Sequence, residues 1–379
     1  MLKGNYSKRA ETAEKNEKKA IEELADKLQF DDTAGIILFC SADYNLDMLA
    51  SSIHSNFRCP IVACTTAGEI GSTYSTGGIV GIAFSEKVFK FHTVNINPLH
   101  QANRESIKVL TDKIQPNLAY ANNFDSTKMF GFLLIDGLSI MEETITAALY
   151  SLLDGVHIIG GSAGDSLNFK ETRIYDAGKF ISDSAVLALI ETKLPFETFK
   201  LQHFVPSDMD MVITSADSST RTVFEINGEP AAEEYADLIG LEAKELSSQV
   251  FAMYPVMLQI GNDWYVRSIE KVNEDGSLTF FCAIDEGLPL TVAKGVGLVE
   301  TLQTKVKEIQ EKFTNIELTI GCDCILRRLE INEKNKADEV INALAPLNFL
   351  GFSTFGEQFN SIHVNQTLTG VVFGAEVKE

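Results

Sequence analysis

Two periodicities alternate along this chain. Ile21, Leu24 and Leu28 recur at three- and four-residue spacing among Lys and Glu, the stripe of a helix docked by one face. After Asp31 short apolar runs take over. GIILFC, from Gly35 to Cys40, predicts a buried strand, and NLDMLASSIHSNF a helix with Leu46, Leu49 and Ile53 on one side. CPIVACTT predicts a second strand, running into Ala67-Gly68-Glu69, and GGIVGIAF a third. The order then recurs: GFLLID, the helical IMEETITAALYSLLDG, the strand and turn VHIIGGSAGD, and SAVLALIE. Near the C-terminus it comes a third time, as ELTIGCDC, ADEVINALAPL, NFLGFSTFGE and TGVVFG.

The three copies keep register. Gly68 and Gly164 stand 96 positions apart, Gly356 lies 192 beyond Gly164, and Cys40 and Asp136 share the 96-residue offset. A fixed period of this kind marks one supersecondary unit repeated. Between the second and third copies, residues 205–300 read differently. There the pattern predicts two strands around a turn, a helix starting near Pro230, and a hairpin turning at Asp275-Gly276. The fold expected is mixed α/β (α+β), with repeated strand-helix-strand-turn-strand units in two packed lobes. Residues 1–30 are expected to be an N-terminal helix, 31–200 one domain and 201–379 the other.

Composition narrows the function. The 379 residues are 45% hydrophobic, enough for a large core, and carry 32 Lys and Arg against 53 Asp and Glu, a net charge of −21. That field repels phosphate backbones and anionic lipid, so nucleic acid is not an expected partner. No apolar run reaches the roughly 18 residues of a membrane helix, and the N-terminus lacks the apolar segment of a signal peptide. With six scattered cysteines, these features point to a cytoplasmic protein with reduced thiols and no membrane insertion.

The turns that end the second strands carry the first candidate chemistry. Thr65, Thr66, Gly68 and Glu69, then Ser162, Gly164 and Asp165, then Thr354, Gly356 and Glu357 each offer a hydroxyl, a flexible glycine and a carboxylate at a strand end. Loops there gather ligand sites, although the same residues also cap turns. Gly160-Gly161-Ser162-Ala163-Gly164 matches the G-x-S-x-G nucleophile elbow. That motif needs a helix directly after the serine, where SLNFKETRIYDAGKF predicts loop and strand. Thr66 and Thr354 also stand at the serine's place in the other copies. A hydrolase using Ser162 is therefore the weaker alternative, and no catalytic set is assigned.

ACTTAGEIG followed by GGIVGIAF, and IIGGSAGD followed by TRIYDAGKFISDSAV, resemble the N-terminal FIST domain. VITSADSSTRTVFEINGEPAAEEY, DEGLPLTVA and GEQFNSIHVNQTLTG resemble the C-terminal one. The resemblance covers nearly everything after residue 30 and makes 31–200 the FIST N and 201–379 the FIST C domain. It implies a sensory module, not an enzyme, that binds an amino-acid-like ligand and signals to a partner. CTTAGEI and HVNQTLTG are most similar to the branch that binds haem, senses nitric oxide and controls a histidine kinase. On that branch the axial ligand of a non-covalent haem b would be His363, flanked by Phe352, Phe355 and Phe359, or His203, in the inter-domain segment. A third expectation is a thiol or metal switch, from Cys40 and Cys64 at two strand ends or Cys322 and Cys324 on one strand face. Arg327 and Arg328 follow that pair and could clamp a carboxylate.

Overall fold

A computed structural model of the chain describes residues 5–119 and 124–375. All three units form. The first runs through strand Thr33–Ser41, helix Leu46–Asn56, the parallel strand Ile61–Thr66, a short hairpin (Glu69–Ile70 and Tyr74–Ser75) and the closing strand Ile79–Ser85. The second repeats this with Met129–Ile135, helix Glu142–Leu152, Ile158–Ser162, the hairpin Ile174–Asp176 and Lys179–Ile181, and Ala185–Thr192. The third comprises Ile316–Cys324, Phe349–Thr354, the hairpin Glu357–Phe359 and Ile362–Val364, and Leu368–Gly374. It carries two helices where one was expected, Ile325–Glu333 as well as Ala337–Leu344. The mixed α/β class read from the sequence is therefore the observed one.

The hairpins organise the assembly. Each has strands of two or three residues, too short to bury a face alone, and each pairs with the sheet of another unit. The second unit's hairpin extends the first sheet beside Ile61–Thr66, the third unit's extends the second beside Ile158–Ser162, and the first unit's extends the third beside Phe349–Thr354. This cyclic exchange ties the units into one ring. Outer edges are taken by Ser7–Thr12, Phe89–Ile96 and Phe196–Leu201. All three sheets feed a common core, where Phe39 stacks on Phe352 at 4.3 Å and meets Phe132 at 6.2 Å.

Three sequence expectations shift. The first thirty residues hold the strand Ser7–Thr12 as well as the helix Glu17–Leu28, which buries Ile21, Leu24 and Leu28 as its stripe required. Pro230 is the residue before helix Ala231–Leu238, not part of its first turn. Cys40 and Asp136 are not counterparts. Ser41 pairs with Thr66 and Ile135 with Ser162, so Asp136 lies two residues past the level of Cys40, because the connections differ in length.

Residues 204–295 form a separate lobe with its own eight-stranded sheet and its own core around Tyr235, Phe251, Val256 and Phe280. It is inserted between the outer strand Phe196–Leu201 and the helix Leu298–Lys312 that leads into the third unit. The third unit therefore packs with the first two, and the inserted lobe covers one side of the ring.

Candidate functional site

The ring brings the three repeated turns together. Ala67 N–H donates to Ser353 O (2.9 Å), Ser353 N–H to Gly68 O (2.7 Å), Gly164 N–H to Thr65 O (3.1 Å) and Ser162 N–H to Gly356 O (2.8 Å). Each turn thus spends backbone groups on another. The glycines make this approach feasible. A Cβ on Gly164 would sit 2.7 Å from Ala67 N, and one on Gly68, whose φ is +135°, would sit 1.6 Å from Arg328 Nη1.

The turn carboxylates are each engaged within their own unit. Glu69 accepts from Thr66 Oγ1 (2.6 Å) and Gly78 N–H (3.1 Å), while Glu357 accepts from Thr354 Oγ1 and from both N–H and Oγ1 of Thr367. Asp165 accepts three amides, from Phe169, Lys170 and Glu171. Each carboxylate closes a local turn, the capping role these residue types also serve. Burial raises Glu69 and pushes Glu357 up to about 8, so at neutral pH Glu357 carries a proton, and one of the two threonine hydroxyls then accepts from it. Thr65 Oγ1 accepts from Arg173 N–H.

Ser162 is fully buried at the end of its strand, and its Oγ accepts from Gln358 Nε2 at 2.9 Å. A turn and then strand Ile174–Asp176 follow it, not a helix, so no nucleophile elbow forms. Cys40 and Cys64 lie in separate core clusters, Cys64 joining Cys322 in the central one, and Cys324 packs with Ile325, Leu326 and Phe355. Burial pushes the Cys64, Cys322 and Cys324 thiols well above their ordinary value. Among the described residues no group of three His, Cys, Asp or Glu side chains is placed to hold a metal.

His203 is committed at both nitrogens. Nδ1 faces Arg327 Nη1 at 3.0 Å, and since a guanidinium can only donate, the imidazole proton sits on Nε2, 2.7 Å from Glu330. Arg327 in turn donates to Asp323 (2.7 Å), which accepts from Tyr74 Oη (2.7 Å). This ionic chain joins the third unit, the first unit's hairpin and the connection that leads into the inserted lobe. It leaves His203 no nitrogen for iron.

His363 stands differently. Gln358 Nε2 donates to its Nδ1 at 3.3 Å, which leaves a proton on Nε2, and that N–H makes no close hydrogen bond, facing the Phe281 backbone of the inserted lobe only loosely. The ring rests on Gly356, where an added Cβ would lie 2.3 Å from its Cε1 and 3.0 Å from Asn365 Nδ2. Its neighbours are polar, with Arg267 donating to its backbone carbonyl at 3.1 Å. Burial pushes its imidazole down to about 4, so it is neutral. A porphyrin needs an open apolar face above the axial nitrogen. An imidazole laid on backbone among Gln358, Asn365 and Arg267 does not supply one, and the donor set here does not fit haem.

Around this histidine lies a group that the sequence reading did not single out. Gln358 Oε1, both amide atoms of Asn365, Gln366 Oε1 and Arg267 Nε are buried without hydrogen-bond partners among the described residues, and His363 Nε2 is buried without a close one. Gln358, Asn365 and Gln366 are at most 1% exposed. An unpaired buried polar atom costs about 1–3 kcal/mol, so a cluster of this size favours a molecule that can pair with it. The inserted lobe covers it. Gln366 Nε2 donates to Phe251 O at 3.2 Å, and Phe281 packs on Phe169, which stacks on Phe355 of the third turn at 4.6 Å. An ionic latch holds the lobe down. Arg221 Nη2 reaches Glu142 (2.7 Å) and Glu143 (2.6 Å) of the second unit, and Nη1 donates to Phe281 O (2.7 Å). The stretch HVNQTLTG was visible as a motif. That its amides converge under another lobe depends on contacts with residues 251–281, which no local pattern reveals.

Residues 34–229 match the FIST N domain and residues 231–360 the FIST C domain. The chain is also 24% identical over 360 residues to the uncharacterised protein MJ1623 of Methanocaldococcus jannaschii, a match spanning 83% of this chain and 67% of that protein. FIST N alone accounts for more than half of the residues. The chain belongs to the FIST family.

Proposed function

We propose that this protein is a sensor whose small polar ligand, of amino-acid size, binds between the ring and the inserted lobe at Gln358, His363, Asn365 and Gln366. FIST domains are sensory domains that bind small ligands in signalling proteins. The observation that carries the location is the cluster of unpaired buried donors and acceptors under the lobe. Its members are neutral amides and a neutral imidazole beside Arg267, a set that pairs with an amide or a zwitterion and is a poor counterpart for a bare cation. Binding there would bridge the lobe to the ring and shift how the Arg221 latch holds it, a difference a partner such as a histidine kinase could read. No helix among the described residues is long and apolar enough to cross a membrane, and the six cysteines are unpaired, which supports a cytoplasmic setting.

The test is a thermal-shift panel of the proteinogenic amino acids, with haem titrated in parallel. A ligand of the proposed site raises the midpoint of the wild type by mass action. Asn365→Leu, which removes a donor and an acceptor, should abolish that rise. A Soret band lost on His363→Ala would instead establish haem at this histidine and overturn the polar-ligand reading.

A further inference from the structure

We propose that the ligand held under the inserted lobe is a small carboxylate and that Arg267 is the residue that recognises it. The inference rests on reading the polar cluster as the ligand site. It separates the two classes that cluster can pair, assigning a zwitterion or another carboxylate over a plain amide. Arg267 ends the strand Asp263–Arg267 of the inserted lobe and is 6% exposed. The arginines that form ion pairs among the described residues are Arg173, Arg221 and Arg327, and Arg267 is not one of them. Its Nη1 donates to the neutral His363 O at 3.1 Å, and its Nε is buried without a partner. The carboxylates of this interface are committed to the latch. Glu143 holds Arg221 Nη2 and Ala283 N–H, each at 2.6 Å, and Glu142 holds the same Nη2 at 2.7 Å. Arg328, buried as well, stands differently, since it bonds Ser353 Oγ and Ser75 O, lies over the Tyr74 ring and feels Glu69 and Asp323.

A guanidinium does not give up its proton in a protein, and burying its charge without a counter-ion is costly. A ligand carboxylate supplies the missing negative charge, and the cluster supplies the rest of that carboxylate's partners. The position a Cβ on Gly356 would take lies 2.6 Å from His363 Nε2 and 3.0 Å from Asn365 Nδ2, so these two donors converge over the glycine. Neither has a close acceptor. Together with Arg267 Nε they offer three N–H groups to two carboxylate oxygens, one of them charged, which makes the stronger kind of hydrogen bond. The acceptors that remain, Gln358 Oε1, Asn365 Oδ1 and Gln366 Oε1, suit N–H or O–H groups on the rest of the ligand. A plain amide would satisfy those acceptors and leave the charge of Arg267 uncompensated.

The experiment reads thermal midpoints of the full chain with each proteinogenic amino acid and, separately, with its α-carboxamide. An acid that raises the midpoint should act at a concentration at least about tenfold below its carboxamide. Arg267→Gln, which keeps an amide donor and loses the charge, should weaken the acid by about ten- to a hundredfold and erase its advantage over the carboxamide. Arg267→Lys, which keeps the charge without the planar fork, should fall between wild type and Arg267→Gln. The ligand-free midpoint of Arg267→Gln should equal or exceed that of wild type, because an unpaired buried charge has gone. A clear fall would show that the folded chain already compensates Arg267, and would overturn the assignment. Equal responses to acid and carboxamide, or an acid response unaltered in Arg267→Gln, each lost in Asn365→Leu, would overturn it too while leaving the ligand site in place. Responses that survive Asn365→Leu would remove the site itself and this assignment with it, and no response to any acid would also overturn it.

Discussion

Replacing Arg221 by leucine isolates what the latch contributes. Arg221 is 5% exposed and its partner Glu142 2%, so the substitution strands a carboxylate in a site that water barely reaches. Burial already pushes Glu142 up to about 7 against the pull of the arginine, and removing that cation raises it further. An ionised Glu142 left without its partner costs about 3–5 kcal/mol. The cost falls when the group takes up a proton, by about 1.4 kcal/mol for each pH unit below its new titration point. The folded form therefore binds more protons than the unfolded one, whose carboxylate titrates at the ordinary value, and stability of the variant declines as pH rises. The deficit against wild type should be about 3–5 kcal/mol at pH 8 and smaller by about 1.4 kcal/mol at pH 6, because Glu142 of the wild type, at about 7, itself gains a proton over that window. Urea unfolding of both proteins, followed by a probe in the inserted lobe, measures it. The double variant Arg221→Leu with Glu142→Gln should recover most of the loss at pH 8. Equal deficits at the two pH values, or no recovery, would refute the stranded-carboxylate reasoning.

Glu357→Gln should flatten the pH dependence of stability. Burial lifts Glu357 from 4.5 to about 8, so the wild type loses stability as pH rises across that window while the amide does not, which thermal midpoints between pH 5 and 9 will register. Alkylation of the native protein should modify Cys59 first, because it is half-buried and its thiol is pushed only to about 11, while Cys64, Cys322 and Cys324 are fully enclosed. Rapid labelling of Cys40 or Cys324, read by peptide mapping, would contradict this and favour a thiol switch.

Much of the ring was legible because its signals are local. Strands such as GIILFC and turns such as Ala67-Gly68-Glu69 follow from short-range pattern, and the 96-residue period places Thr66, Ser162 and Thr354 correctly as counterparts. What pattern could not convey was pairing between units. Each hairpin bonds to a sheet whose strands lie up to about three hundred residues away, as Glu69–Ile70 does with Phe349–Thr354, and no local propensity encodes that choice. The turn carboxylates invited a ligand reading since capping and ligation demand the same residue types. Only the amides around Asp165 and the hydroxyls around Glu357 distinguish the two. Helix Ile325–Glu333 was missed because Arg327, Arg328 and Glu330 occupy positions that its burial against His203 makes internal. Charged residues at core positions break the stripe that would have announced it.

Hydrogen–deuterium exchange with and without the amino acid that gives the largest thermal shift tests the central claim most directly. A ligand bound between ring and lobe should slow exchange in residues 357–368 and in the covering segments 251–254 and 263–282, with the same segments losing that protection in Asn365→Leu. Protection confined to other parts of the chain, such as the edge strand Ser7–Thr12, or protection that survives in Asn365→Leu, would contradict it.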